Sequence, residues 1–274
     1  MGKLYVVATP IGNLGDMTAR AINVLTEVDF ILAEDTRHTR PLLTHFGIQN
    51  HLISFHAHSS QEKAIQIVGR LVAGEDAALV TDAGTPLISD PGSMLVQEAI
   101  VAGIEIVSIP GPSAVIAALS IAGIDASKFI FEGFLPKAKE KKAALASILE
   151  NTYTTVIYES PHQLLNTLTL LSELAPTRML AVCKELTKRF EHVYRMTAKE
   201  AVAAADAWEI KGEYVLVIAA KQETKKMAEE EEEVLRVLEI LQKNNLSKKD
   251  AASITAEILG RKKNEVYQIA IKEA

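Results

Sequence analysis

The feature that most constrains this chain is a series of short, almost uninterrupted apolar runs, each closed by turn residues and separated by stretches long enough for a helix. They lie at residues 4–8, 30–33, 52–55, 77–80 and 104–109. A strand that is apolar at every position has to be covered on both faces, which helical crossovers provide and hairpins seldom do. The first 120 residues are therefore expected to form a parallel α/β sheet with helices on both sides. Pro110-Gly111-Pro112-Ser113 then opens a helix over residues 114–121, and Gly123 and Asp125 close it, which marks a crossing into a second domain.

In the second half the strand signals fall at 129–134, 154–158, 180–183, 192–196 and 214–219, with helices at about 139–150 and 161–174. Several of these strands follow one another through links too short for a crossover helix, which predicts a mixed or antiparallel sheet. Beyond the acidic run 229–233, Val234, Val237, Leu238 and Leu241 recur at helical spacing. Ser247 to Asp250 has the form of a capping box, Gly260 ends that helix, and residues 264–272 can form one more. The expected fold is two α/β domains sharing an interdomain cleft, 1–120 and 121–224, plus a small C-terminal basic helical module at 229–274. No internal repeat of solenoid period is present.

Composition narrows the function classes. A length of 274 residues suits two domains, and 48% hydrophobic with 23% charged residues is ordinary for a globular protein. The single cysteine, Cys183, excludes an intrachain disulfide and a Cys-rich zinc site, so the cytoplasm is the natural compartment. The apolar run before Pro10 is too short for a signal sequence, and no stretch reaches the roughly 18–20 apolar residues of a membrane span. Net charge is −6, yet residues 242–274 hold seven basic and four acidic side chains, a local +3 that leaves −9 for residues 1–241. The run at 229–233 reads as a solvated linker or a helix start.

No G-x-G-x-x-G follows the first strand and no G-x-x-x-x-G-K-[ST] occurs, which disfavours dinucleotide enzymes and P-loop NTPases. The strand ends instead carry T-P-I-G-N-L-G-D at 9–16, T-D-A-G-T-P at 81–86, S-D-P-G at 89–92 and P-G-P-S-A at 110–114. Small residues and prolines build rigid turns in which a flat ligand can reach backbone donors and acceptors. Singly, each is more often a plain turn or cap. In this order, and joined by A-E-D-T-R at 33–37, F-E-G-F-L-P at 131–136, Y-E-S-P-H at 158–162 and K-E-L-T-K at 184–188, the series resembles the tetrapyrrole methylase superfamily of S-adenosylmethionine-dependent methyltransferases. Within it the similarity is to the branch acting on small-subunit ribosomal RNA and runs along essentially the whole chain. The resemblance implies methyl transfer to the ribose 2′-oxygen of a cytidine in the decoding region of 16S rRNA, S-adenosylmethionine as cofactor, 16S rRNA within the small ribosomal subunit as partner, and a homodimer.

It also implies a donor pocket built from Pro10, Asp82, Ala83, Gly84, Thr85, Pro86, Ser89, Asp90, Ser113 and Ala114. Their chemistry is compatible: ribose hydroxyls suit Asp82 or Asp90, and a sulfonium is favoured near carboxylates and carbonyls. The plainer reading is that both aspartates cap turns. For the acceptor, Glu34, Asp35, Glu159 and Glu185 are possible bases, while Arg37, Lys184, Lys188 and Arg189 can hold phosphates or stabilise an alkoxide. Asp35, Glu185 and Lys188 are the expected catalytic set, and Arg37, Lys184 and Arg189 the expected RNA contacts; ion pairs fastening strand ends are the alternative. In the terminal module, Lys248, Lys249, Arg261, Lys262 and Lys263 fit a helix-turn-helix-like surface for RNA phosphates, against a packed tail with solvated lysines. His56 and His58 have no third ligand at suggestive spacing, so no metal site is expected. His162 and His192 read as structural, and Cys183 as a buried small residue. Two departures from the family pattern stand out: Gln163 where Arg usually follows Y-E-S-P-H, which removes a phosphate-binding cation, and Arg195-Met196 where Gly is frequent. Methylation of a corrin ring or a protein side chain, and a non-catalytic RNA-binding assembly factor, are the competing functions.

Overall fold

The computed structural model describes all residues except 137, 138, 206, 222, 223, 245, 273 and 274, and gives only the backbone at 224–232, 268 and 270–272. The chain divides into two compact units, Met1–Ala220 and Lys221–Ala274.

The first unit opens with β1 (Lys3–Val7), α1 (Ala19–Glu27), β2 (Phe30–Ala33), α2 (Thr36–His45), β3 (Leu52–Ser54), α3 (Gln61–Val72), β4 (Ala77–Val80), α4 (Ser93–Val101), β5 (Glu105–Ile109) and α5 (Ala114–Ala122). Its five strands are all parallel in the order β3-β2-β4-β1-β5. Both faces are covered, as the continuous apolar runs require. Phe30, Leu32 and Leu79 pack with Ala64, Ile67 and Leu71 of α3 and Leu95 and Ala99 of α4. Ile31, Ala33, Ala78 and Val80 turn the other way, onto Ala21 and Leu25 of α1 and Leu43 of α2. The helices start where the sequence supplies an acceptor: Thr18, Asp35 and Ser60 each take a backbone N–H of the first turn.

The second sheet follows with β6 (Phe129–Phe134), α6 (Lys139–Leu149), β7 (Thr154–Glu159), α7 (Pro161–Leu174), β8 (Met179–Lys184), β9 (His192–Thr197), α8 (Ala198–Ala205) and β10 (Tyr214–Ile218). Its order is β6-β7-β10-β8-β9; only β6 and β7 are parallel, so the sheet is mixed as the short links imply. One face packs on α6, α7 and α8 through Leu145, Leu164, Leu168 and Ala201. The other is covered by α5, whose Val115, Ala118, Leu119 and Ala122 meet Val156, Ala181, Cys183, Val215 and Val217. The helix that leaves the first sheet thus closes the core of the second. Arg195 of β9 ties this seam by donating to the carbonyls of Ile121 and Ala122 at the C-terminus of α5, where a cation is favoured. That accounts for a basic side chain where the family often has Gly.

The second unit consists of α9 (Thr224–Lys243), α10 (Lys248–Ile258) and α11 (Lys263–Lys272), packed through Val234, Leu238, Ala251, Ala252, Ala256 and Val266. Ser247 caps α10 by accepting from the Asp250 amide, and Gly260 adopts φ +64° in the turn before α11. The acidic run expected as a linker or helix start lies well inside α9. No helix among the described residues is long and apolar enough to cross a membrane.

Candidate active site

The loops after β1, β4 and β5 are laced together by their own backbone. Thr9 and Gly84 exchange hydrogen bonds of 2.9 and 3.0 Å, Thr9 Oγ1 donates to Thr81 O at 3.2 Å, and Thr85 Oγ1 donates to Pro112 O at 3.1 Å. Gly84 is needed at this crossing: its φ is +85°, which a side chain resists, and a Cβ there would reach Ile11 at 3.4 Å. Leu87 and Ser89 also hold positive φ, 75° and 67°, so the segment between Pro86 and Pro91 is a tightly wound turn.

A cavity of about 460 Å³ opens at these strand ends, within the size range of small-molecule sites. Asp82, Ala83, Gly84, Thr85, Ser89, Asp90, Ser113 and Ala114 all line it. Of the ten expected pocket residues only Pro10 and Pro86 do not; both are buried at the base of their turns. The opposite wall comes from the second sheet: Phe134 ends β6, Tyr158 and Glu159 end β7, Leu186 follows β8, and Glu213 and Tyr214 open β10. Apart from Glu159, these residues carry no site expectation in the sequence; F-E-G-F-L-P, Y-E-S-P-H and K-E-L-T-K mark three of the four segments, and nothing marks Glu213.

The first-sheet wall is acidic. Glu34 accepts from Thr81 Oγ1 at 2.9 Å. Asp82 is held at both oxygens, by the Asp35 amide at 3.2 Å and by His38 Nδ1 at 2.9 Å, and this contact raises the His38 pKa. Burial, followed by the charges of Glu34 and Asp82, pushes the Asp90 carboxyl up to about 6. Across the cavity, burial and then the Asp90 charge push the Tyr158 phenol up to about 12, which keeps it a hydrogen-bond donor.

The other expected site residues have different surroundings. Asp35 caps α2 through the Arg37 amide and pairs with the Arg37 guanidinium, which holds its carboxyl at about 2 and makes it a weak base. Arg37 is 88% exposed apart from that pair. Lys188 bridges Glu185 at 2.8 Å and Glu213 at 2.9 Å, and its side chain lies against Gly12. Burial drives Glu185 up, but hydrogen bonds from Lys188 and the Glu213 amide outweigh it and leave the carboxyl below its usual range. Lys184 donates to Glu209 O, while Arg189 is exposed with its guanidinium 5.5 Å from the Phe190 ring. Glu159 lines the cavity, yet its side chain is 5% exposed: Oε1 accepts from the Ser160 amide, and Oε2 accepts from Thr167 and from Lys141 at 2.9 Å. Gln163 points its amide oxygen at the same Lys141, 3.4 Å away. Its place is beside a buried ion pair, so the expected loss of a phosphate contact is not what its geometry reflects. Lys248, Lys249, Lys262 and Lys263 are exposed on the second unit, with Arg261 half-buried. His56 and His58 lie in the turn before α3, where His56 Nδ1 accepts from the His58 amide. Cys183 is buried, and burial pushes its thiol up to about 12.

The sequence profile of the tetrapyrrole (corrin/porphyrin) methylases matches residues 3–202. The chain belongs to this family. A second profile, the RsmI C-terminal HTH domain, matches residues 228–274 of the methylase. Among curated relatives, ribosomal RNA small subunit methyltransferase I of Escherichia coli O157:H7 is 45% identical over 99% of this chain and 96% of its own length. The protein of that name from Vibrio cholerae is 45% identical, covering 97% and 93%, and that of Synechocystis is 43% identical, covering 99% and 98%. Solved structures share the fold at low identity. Cobalt precorrin-4 methyltransferase aligns with a TM-score of 0.58 at 18% identity over 79% of this chain and 94% of that one. A conserved hypothetical protein of Aeropyrum pernix K1 reaches 0.62 at 18% over 98% and 95%. The methylase is an enzyme of the methyltransferase class, and its cavity pairs a carboxylate-rich wall with apolar Ile11, Ile88 and Leu186.

Proposed function

We propose that the chain transfers a methyl group from S-adenosylmethionine to the ribose 2′-oxygen of a cytidine in the decoding region of 16S rRNA. What carries this reading is the similarity to ribosomal RNA small subunit methyltransferases I, at up to 45% identity over nearly the whole chain, which extends through the terminal helical unit. Corrin or protein-side-chain acceptors leave the basic side chains grouped at 248–249 and 261–263 without a purpose, and a factor without turnover leaves the strained, acidic cavity unexplained.

The cavity fits the donor on its own chemistry. Glu34, Asp82 and Asp90 suit a sulfonium and ribose hydroxyls, and the crossing at Gly84, bare of side chain, lets a nucleoside approach Ala83 and Thr85. When bound, the donor supplies an electrophilic methyl group. The protein has then to align the acceptor oxygen and take its proton, and alignment alone accounts for much of such an acceleration. Asp35, Glu159 and Glu185 are engaged in a cap or in ion pairs, and Glu34 accepts from Thr81 Oγ1; we assign proton removal to Asp90, which faces the cavity and is largely ionised at neutral pH. Lys188, with Glu185 and Glu213, stiffens the second-sheet rim. Lys248, Lys249, Arg261, Lys262 and Lys263, with Arg37, Lys184 and Arg189, are assigned to RNA phosphates, which position the substrate without reading sequence. The enzyme works in the cytoplasm as a homodimer, to be checked by light scattering: a mass near 29.8 kDa at micromolar concentration contradicts the dimer.

The test is incubation with labelled S-adenosylmethionine and either naked 16S rRNA or small subunits from cells lacking the enzyme. Label should enter the small-subunit RNA. Label in protein or in an added corrin precursor instead would replace this reading by its competitor.

A further inference from the structure

We propose that Phe134 is the stacking platform for the nucleobase of the acceptor nucleotide. This rests on the reading of the chain as an RNA ribose methyltransferase and adds how that acceptor is held.

The motif F-E-G-F-L-P places two phenylalanines three residues apart on β6, and in a regular strand they would face opposite sides of the sheet. The pairing of β6 with β7 is not regular. Phe131 sits opposite Val156, but Gly133 sits opposite Ile157 and Phe134 opposite Tyr158, so Glu132 is an extra residue in the ladder. Such a bulge re-aims the side chains beyond it, and bulges cluster beside active sites. Here it brings Phe134 to the face shared by Phe131 and Tyr158. The two phenyl rings flank the phenol edge-on, with centroids 4.9 and 5.4 Å from it.

The bulge is built with care. Gly133 has φ +65°, and a Cβ there would fall 2.9 Å from Ser89 Oγ, so the turn is docked against the first-sheet loop that carries Asp90. Within the three-ring ladder Phe131 and Tyr158 are half-buried, whereas Phe134 lines the cavity and remains 63% exposed. A large apolar ring fixed at its inner edge and bare on its outer side, at the mouth of an acidic cavity, is suited to a flat partner arriving from solvent. Unpaired RNA bases are gripped in this way, on aromatic faces. The donor's adenine is a second flat group, but the turns and carboxylates suited to the donor lie on the first-sheet wall and Phe134 on the opposite one. A base stacked on Phe134 would bring its ribose toward Asp90 and Tyr158.

The experiment compares Phe134→Ala, Phe134→Leu and Phe134→Tyr in the full chain. It measures KM and kcat with small-subunit RNA, the donor Kd by calorimetry, and Tm. Because the ring is exposed, Tm should hold in all three. Phe134→Ala and Phe134→Leu should lower kcat/KM for RNA about ten- to a hundredfold, mostly through KM, with donor Kd within about twofold. Phe134→Tyr should match the wild type, since it keeps the π-face that Leu lacks. Unchanged RNA kinetics in Phe134→Ala, equal activity of Leu and Phe, or a parallel loss of donor affinity would overturn the proposal. A wild-type enzyme that binds donor but methylates no small-subunit RNA would overturn the function beneath it, and that result appears before any variant is made.

Discussion

A carboxyl held near pH 6 in a cavity is costly to keep ionised, and Asp90 bears that cost for a reason that substitution can expose. Its folded pKa lies above the usual carboxylate value, so the native state binds the extra proton between about 4 and 6. Stability from this group is therefore present at low pH and falls as pH rises through its folded value. Asp90→Asn should raise Tm at pH 8 while lowering kcat by about 10²–10⁴, the usual worth of a general base. In the wild type the kcat/KM profile, which reports the free enzyme, should lose activity on its acid side near pH 6, and the Asn variant should lose that limb. The donor Kd of the variant decides between the two roles of Asp90: an unchanged Kd supports proton removal, and a weakened Kd places it in the donor pocket instead. On the same wall, Asp82→Ala should weaken donor binding without unfolding. Gly84→Val should do so with an added stability cost of about 1–2 kcal/mol, because its φ of +85° is unfavourable for any side chain. Undiminished donor affinity in both variants would remove the 82–86 turn from the site. The aspartates and the glycine were legible because their turn motifs sit at strand ends. Phe134 and Glu213 were not: F-E-G-F-L-P marks the segment but not which way Phe134 faces, which a bulge decides, and Glu213 is brought in by a cross-sheet approach that leaves no local signature.

At the scale of elements, the buried Lys141–Glu159 pair joins the start of α6 to the end of β7, beneath the cavity wall. The Lys141 ammonium has three acceptors, Glu159, Thr167 and Gln163, one for each of its protons. Lys141→Met should cost about 3–5 kcal/mol by leaving a carboxylate buried and unpaired, and Lys141→Met with Glu159→Gln should recover part of it. Chemical denaturation of the wild type, both single variants and the double variant checks this; an additive double variant would mean the pair is not coupled. The strands were readable from continuous apolar runs, and the mixed second sheet from the shortness of its links. α8 has no clear mark in the sequence, although AKEAVAAA is rich in the best helix former, because eight residues after a strand carry too little periodicity. The acidic run reads as a solvated linker or a helix start because like charges repel; the helix extends through it because Val234 and Leu238 in its later turns are buried.

At the scale of the molecule, the unit formed by Met1–Ala220 has its own cores and contains the whole cavity, so the truncated chain 1–220 should fold and bind donor. It should lose RNA affinity, and the slope of log affinity against log salt should flatten by about 0.7–0.9 for each phosphate contact removed. An unchanged slope at two salt concentrations would make the terminal unit a structural appendage. The account stands or falls on where the methyl group goes. Small subunits from cells lacking the enzyme, treated with the protein and S-adenosylmethionine, should yield one new nucleoside on complete digestion, 2′-O-methylcytidine, identified by mass and by a methyl on the sugar fragment. A methyl on the base fragment, or no new methylated nucleoside from an enzyme that binds donor, would contradict it.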